Sequence, residues 1–146
     1  MNKPGTIFVD ADAFIALTKE DDSNHKRAKK IFSILQNAPV TFVTSNFVFA
    51  EVVTVLSQRM NHAVAVMFIN NMKSGDSVFQ IERISEDTEE QAIQIFIDQT
   101  SKNVSFVDCA NIALMVQKGM DGIFSFDSIY KKNGFKIADE LVTRTN

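Results

Sequence analysis

Thr6-Ile7-Phe8-Val9-Asp10 is a short apolar run that ends on a carboxylate. A run of this length, opening directly onto a turn, reads as a buried strand. Similar runs recur at Val40–Thr44, Val78–Ile81 and Gly122–Ser125, with a marginal one at Phe135–Ile137. Between them lie segments of helical periodicity. Ala13–Leu17 reads as a short helical turn. His25–Gln36 carries Ala28, Ile31, Phe32 and Leu35 on one face. A helix capped by Ser45 or Asn46 runs to about Arg59, and Ala63–Lys73 follows, ending before Gly75. Asp87-Thr88-Glu89-Glu90 has the form of a capping box, opening a helix whose apolar face is Ala92, Ile93, Phe96 and Ile97. Asn103–Ser105 leads into a helix ending at Lys118, stopped by Gly119. Strands alternating with helices predict an α/β fold: a central, mostly parallel sheet of four to five strands covered by helices on both faces.

In such a sheet, ligands bind beyond the carboxyl ends of the strands. Asp10 and Asp127 stand at or just past strand ends; Glu51 lies about two turns into the helix after the second strand, and Asp108 in the first turn of its helix. Each interrupts apolar surroundings, where a carboxylate is costly unless compensated. Carboxylates that converge also repel one another, which raises their pKa values. Hard divalent cations relieve both problems because they prefer oxygen ligands. Each acid also has a plainer explanation. Asp10 fits a turn residue, and Glu51 an exposed helix position. Asp108 fits the capping box that begins at Ser105, and Asp127 a cap for Ser128–Asn133.

The chain has 146 residues, which sets an expectation of one domain over residues 1–146. It is 45% hydrophobic and 23% charged, as expected of a soluble globular protein. One Cys excludes an intramolecular disulfide and fits a reducing compartment. No apolar stretch approaches the roughly 20 residues that span a bilayer, and the first apolar run is too short for a signal-peptide core. The expected location is cytoplasmic. The net charge of −3 does not advertise nucleic-acid binding, but an acidic metal site contributes negative charge that its cations cancel.

Four segments in order carry a family resemblance. Ile7–Leu17, around Asp10, resembles the opening motif of PIN-domain nucleases. Asn46–Leu56 is similar to their second motif, with its helical Glu51; Ser105–Ala113 to the third, with Asp108; and Ile123–Tyr130 to the last, with Asp127, a hydroxyl residue two positions before it and an aromatic three after. The short form resembles the toxin half of VapC-type type II toxin–antitoxin modules. The resemblance implies a PIN-like three-layer fold with Asp10, Glu51, Asp108 and Asp127 at the mouth of the sheet. It implies Mg²⁺- or Mn²⁺-dependent endoribonuclease activity, commonly on tRNA or ribosomal RNA, with homodimerisation and a small antitoxin that blocks the site. Position 12 is often Ser or Thr in the family and is Asp here, so Asp12 either adds a ligand or caps the following turn. Position 125 is Ser where Thr is common, which keeps the hydroxyl.

On that reading Asp10 and Asp108 are the first-choice direct ligands. Glu51 and Asp127 ligate the same or a second ion, directly or through water. Ser125 and Asn111 orient the carboxylates, with Asn111 one helical turn after Asp108; an exposed helix residue is the alternative for Asn111. Lys131, Lys132 and Lys136 are candidates for substrate phosphates or members of a solvated loop. The densest basic run, Lys26, Arg27, Lys29 and Lys30, either contacts RNA or is a solvated helix face. His25 and His62 have no motif around them, and Cys109 reads as a small buried residue. Val64, Val66, Met67, Phe68, Ile69 and Met72 exceed a single stripe and divide between core and an interface.

Two other readings compete. Asp10-Ala11-Asp12 after an apolar strand resembles the nucleophile motif of haloacid-dehalogenase-like phosphatases. Phe14 departs from that motif, its later paired-acid signature is missing, and it leaves Glu51 without a role. The other is a PIN-fold binding module with weak or no catalysis, which the presence of all four acids argues against.

Overall fold

The computed structural model describes residues 5–120 and 122–145, without the side chains of residues 144 and 145. Twelve elements follow in the order β1 (Gly5–Val9), α1 (Ala11–Thr18), α2 (His25–Gln36), β2 (Val40–Ser45), α3 (Asn46–Arg59), α4 (His62–Lys73), β3 (Phe79–Glu82), α5 (Glu86–Asp98), α6 (Phe106–Lys118), β4 (Gly122–Phe124), α7 (Ile129–Lys132) and α8 (Ala138–Thr145). The strands form one sheet in the order β3-β2-β1-β4, and every pairing is parallel. The chain steps outward from β1 to β2 to β3 and then returns to the other side of β1. The strand order therefore reverses between β1 and β4. In open parallel sheets such a reversal opens a crevice beyond the strand ends, because the flanking connections leave in opposite directions.

The core explains the Phe-rich composition. Phe14 of α1 stands edge-on to Phe68 of α4 and Phe79 of β3, with ring centroids 5.4 and 5.0 Å apart. Phe32 stacks on Phe79 at 5.7 Å. Phe8, Val48, Val52, Leu56, Ile123 and Phe124 are fully buried around the sheet. At Gly122 an added Cβ would lie 2.7 Å from Leu141 Cδ2 and would push that side chain aside, so α8 packs closely over the start of β4. Gly119 ends α6 at φ 67°, the left-handed conformation glycine adopts without steric cost.

Several sequence-based expectations shift. The third strand begins at Phe79, one residue later than expected. The expected fifth strand at Phe135–Ile137 shrinks to one parallel bridge between Gly122 and Lys136, leaving four strands among the described residues. The turn at Gly134 (φ 90°) and the start of α8 at Ala138 leave no room for more. The first helix starts at Ala11 because Asp10 caps it. Helix α5 starts two residues earlier than the expected capping box, on Ser85, whose Oγ accepts from the Thr88 N–H. Its buried face is also rotated. Thr88 hydrogen-bonds Gln117 of α6, so Thr88 and Ala92 are buried and Ile95 packs beside them. Ile93, Phe96 and Ile97 remain 37, 43 and 66% exposed. Helix α8 was not expected; it is tied to α2 by Arg27 Nη2, which donates to both carboxylate oxygens of Asp139 at 2.7–2.9 Å.

Candidate active site

The β1/β4 reversal places Asp10 and Ser125 side by side. Val9 pairs with Phe124, and the Asp10 N–H donates to Phe124 O at 3.1 Å, carrying the ladder one residue beyond the strands. Thr44 Oγ1 donates to Val9 O at 2.8 Å and pins the end of β1 from its other side. Asp10 is 6% exposed, in a rigid position rather than on a free turn. Its Oδ1 accepts from the Ala11 N–H at 2.8 Å and from Asn111 Nδ2 at 3.1 Å; its Oδ2 lies 3.1 Å from Ser125 Oγ. Capping α1 and facing α6 are thus compatible roles for this one carboxylate.

Asp12 does more than cap a turn. Its Oδ2 accepts from the Phe126 N–H at 2.8 Å and stands 3.1 Å from Ser125 Oγ. The Ser125 hydroxyl also accepts from the Asp127 N–H at 3.2 Å. A hydroxyl has one proton to give, yet two carboxylate oxygens face this one. Without a cation, one of the two close contacts is satisfied only if Asp10 or Asp12 itself carries a proton.

Asp108 is placed by its own helix cap. Ser105 Oγ accepts from the Asp108 N–H and Asp108 Oδ2 accepts from the Ser105 N–H, both at 3.0 Å, so the capping box expected from the sequence forms. Its other oxygen, Oδ1, accepts from the Tyr130 hydroxyl at 2.9 Å. Tyr130 in turn accepts from Asn111 Nδ2 at 3.0 Å. The chain Asp10–Asn111–Tyr130–Asp108 therefore runs unbroken from the β1–α1 junction across α6 and α7. Asn111 is fully buried, which removes its reading as an exposed helix residue. Tyr130 was not singled out in the sequence; its signal was the aromatic position three after Asp127.

Glu51 and Asp127 sit at the rim. Both residues are exposed. Asp127 Oδ1 accepts from the Ile129 N–H at 3.0 Å, the local turn bond expected of a cap for α7. Glu51 of α3 lies within electrostatic reach of Asp108 and Asp12. Lys131 and Lys132 are exposed on α7, and Lys136 is half-buried. Arg27 lies 4.9 Å from the centre of the Phe126 ring and pairs with Asp139, so it is not a free member of the basic run. His25 Nδ1 is 2.7 Å from Ala16 O, a structural tie. Cys109 is buried, and burial and then Asp108 push its thiol pKa up, which keeps it from acting as a thiolate. On α4, Ala65, Phe68 and Met72 are core, while Val66 and Met67 face solvent.

The acids raise one another's pKa values. Burial pushes Asp10 well above the usual carboxylate range, and Asp12 and Asp108 add to the shift against the Ala11 N–H and the Ser125 hydroxyl. Asp12 is raised from 3.8 to about 6, first by burial, with Asp127 also raising it. Partial loss of solvent around its carboxyl group, then Asp108 and Asp12, raise Glu51, although the residue as a whole is exposed. The ion pairs Lys19–Asp21 and Arg27–Asp139 involve none of these groups.

This donor set fits a hard divalent cation in type and charge. Asp12 Oδ1 and Asn111 Oδ1 are buried with no hydrogen-bond partner, which is costly without some electropositive neighbour. The set does not fit as a ready-made cage: among the described residues no three carboxylate, His or Cys groups converge at ligating geometry. Asp10, Asp12, Asp108 and Asp127 are instead held by protein hydrogen bonds.

The raised acids give a stability signature. A carboxyl whose folded pKa lies above its unfolded value favours the folded state at low pH, and that contribution is lost as pH rises through the folded pKa. For Asp12 the loss runs from near pH 4 to above about 6, on the order of 3 kcal/mol for a shift of this size. Calorimetric melting in EDTA is expected to show this fall, and Asp12→Asn to flatten it. Equal slopes in both proteins would contradict the assignment.

A model of the PIN domain matches residues 7–136. The chain is 33% identical over 129 residues to the 23S rRNA-specific endonuclease VapC20 of Mycobacterium tuberculosis, from strains CDC 1551 / Oshkosh and ATCC 25618 / H37Rv, covering 88% of this chain and 95% of that protein. The crystal structure of M. tuberculosis VapC20, described as a sarcin-ricin loop cleaving toxin, superposes with a TM-score of 0.80 at 32% identity, again over 88% of this chain and 95% of the other. A chain of a toxin-antitoxin complex from Klebsiella pneumoniae shares the fold, with a TM-score of 0.58 at 17% identity over 84% of this chain and 88% of that one. With the four-stranded parallel sheet and the ordered motifs, these matches show that the chain belongs to the PIN-domain family, as a homologue of a VapC-type toxin endonuclease.

Proposed function

We propose that this protein, a single domain over residues 1–146, is a Mg²⁺- or Mn²⁺-dependent endoribonuclease that cuts ribosomal RNA. In this reading it is the toxin of a type II pair, acting in the cytoplasm as a homodimer and restrained by a cognate antitoxin. The observation that carries the site assignment is Asp10: a buried carboxylate at the strand-order reversal, facing a second carboxylate across one hydroxyl. The ribosomal substrate rests on the likeness to a 23S rRNA-specific endonuclease. No helix among the described residues is long and apolar enough to cross a membrane. Ile93, Phe96 and Ile97 on α5, and Val66 and Met67 on α4, are apolar side chains left in solvent, the kind of surface a second copy or an antitoxin covers.

The chemistry is hydrolysis: water adds across one P–O bond of the RNA backbone, leaving a phosphate on one end and a hydroxyl on the other. A divalent cation, when bound, lowers the pKa of its water and offsets charge developing on the phosphate. Asp10 and Asp108 are assigned as its direct holders, with Glu51 and Asp127 holding it or a second ion directly or through water. Asp12 joins them through its unpartnered Oδ1. Ser125 and Asn111 orient Asp10 from either side. Lys131 and Lys132 approach the substrate phosphates from α7.

The test is incubation of the protein with intact ribosomes and with purified tRNA in Mg²⁺ or Mn²⁺, followed by mapping of new RNA ends. Discrete cuts in the large-subunit RNA are expected, with tRNA intact. Cuts confined to tRNA would overturn the ribosomal assignment. No cleavage of either would favour a PIN-fold binding module without catalysis.

A further inference from the structure

We propose that Tyr130 is a positioning residue for the metal-dependent reaction, its hydroxyl holding Asp108 and Asn111 in register with Asp10, so that losing this one oxygen weakens divalent-cation binding. The inference rests on the reading of the site as a divalent-metal nuclease centre.

With Asp10 ionised, as it is when it holds a cation, the proton assignment along the chain has one solution. Asn111 Nδ2 carries both N–H donors of the amide; one reaches Asp10 Oδ1 at 3.1 Å and the other the Tyr130 oxygen at 3.0 Å. The Tyr130 hydroxyl, having accepted that bond, has its single proton free for Asp108 Oδ1 at 2.9 Å. Flipping the amide would set Asn111 Oδ1 against the Asp10 carboxylate, oxygen to oxygen. Asn111 Oδ1, without a partner, is thereby fixed in direction as well as in place. Tyr130 joins the two sides, since the side-chain bonds of Asp108 go to Ser105 and Tyr130 rather than to Asp10 or Asn111.

A plainer role is available. Tyr130 is among the largest fully buried side chains, and a ring at this position fills the core. Phe serves that purpose equally well and keeps the volume. A buried phenol is retained at a cost unless its O–H is used, and here it is used on a carboxylate assigned to the metal. Hydrogen bonds to ligating carboxylates set ligand orientation, and their loss commonly lowers metal affinity or activity about 10- to 100-fold.

The composition supplies a direct probe. Tyr130 is the sole Tyr, and the chain has no Trp. Its emission therefore reports one hydroxyl, bonded to one carboxylate. Mg²⁺ titrated into the wild-type protein is expected to change that emission and to saturate where calorimetry of the same titration saturates. In Tyr130→Phe the Mg²⁺ affinity and the Mg²⁺ concentration for half-maximal cleavage are expected to worsen about 10- to 100-fold, with the melt still cooperative and the KM for RNA unchanged at saturating Mg²⁺. Wild-type affinity and cleavage in Tyr130→Phe would overturn the proposal and leave Tyr130 as core. If the variant fails to fold, the wild-type titration decides: calorimetric binding without any change in emission overturns the proposal. A wild-type protein that neither binds Mg²⁺ nor cleaves RNA would instead remove the nuclease reading itself.

Discussion

Asp10→Asn is expected to lower RNA cleavage by about 10³-fold, the upper range for removing one charge-stabilising group from a reacting centre, while leaving the metal-free protein at least as stable as wild type. Both halves follow from the same contacts. The side-chain oxygen of the substituted amide can still accept from the Ala11 N–H and from Asn111 Nδ2, which bond Oδ1 of Asp10 in the native protein. Its amide nitrogen replaces Oδ2 beside Ser125 Oγ and supplies a proton to the hydroxyl, which then gives its own to Asp12. The shortage of one proton between two carboxylates disappears, and so does the cost of a charge whose pKa burial, Asp12 and Asp108 drive upward. Single-turnover cleavage and thermal melting in EDTA read the two effects separately. A variant that loses activity by unfolding, or that cleaves like wild type, would contradict the assignment.

Asp108→Asn separates capping from chemistry. Asn is itself a good capping residue, and its side-chain oxygen can keep the bond from the Ser105 N–H. The Ser105 Oγ bond to the backbone N–H at position 108 is untouched. What changes is the atom facing Tyr130, where a carboxylate oxygen becomes an amide donor. Cleavage is therefore expected to fall by about 10²-fold with little change in melting temperature. Unchanged cleavage would reduce Asp108 to a helix cap; a large fall in melting temperature would show that its bond to Tyr130 is mainly structural.

The parts of the fold that were legible in the sequence are those set by local patterns. The strands at residues 6–10, 40–44 and 122–125 are short apolar runs, and Gly119 ends α6 at positive φ, as a glycine after a helical pattern should. The rotation of α5 was not legible. Its most hydrophobic face, Ile93, Phe96 and Ile97, is left largely outside, while Thr88, bonded to Gln117, and Ala92 and Ile95 pack against α6. The fifth strand failed because pairing needs length as well as apolar character, and Gly134 and α8 crowd that segment on both sides.

The site divides in the same way. Asp10 and Asp108 stood out as acids in apolar stretches and Asn111 by its place one helical turn after Asp108, and hydrogen bonds join the three by way of Tyr130. Glu51 and Asp127 stood out equally but lie exposed at the rim. Their neighbours in sequence are apolar, yet exposure depends on how α3 and the β4–α7 turn are packed, which residue spacing does not encode. Tyr130 entered the sequence reading only as the aromatic three after Asp127, with no role of its own; its hydroxyl gains meaning only when α7 sets it between Asn111 and Asp108. The capping box expected at Asp108 forms, and it leaves room for the proposed role, since the box uses Oδ2 while Oδ1 faces the Tyr130 hydroxyl.

The central claim is that the buried Asp10 and the carboxylates around it make a divalent-metal-dependent nuclease. The most direct measurement is cleavage of purified ribosomal RNA by wild type and Asp10→Asn, side by side in Mn²⁺ and in EDTA. Cleavage by wild type in Mn²⁺ alone, absent from the other three lanes, is the predicted result. Cleavage that persists in EDTA, or that Asp10→Asn retains in Mn²⁺, would contradict it.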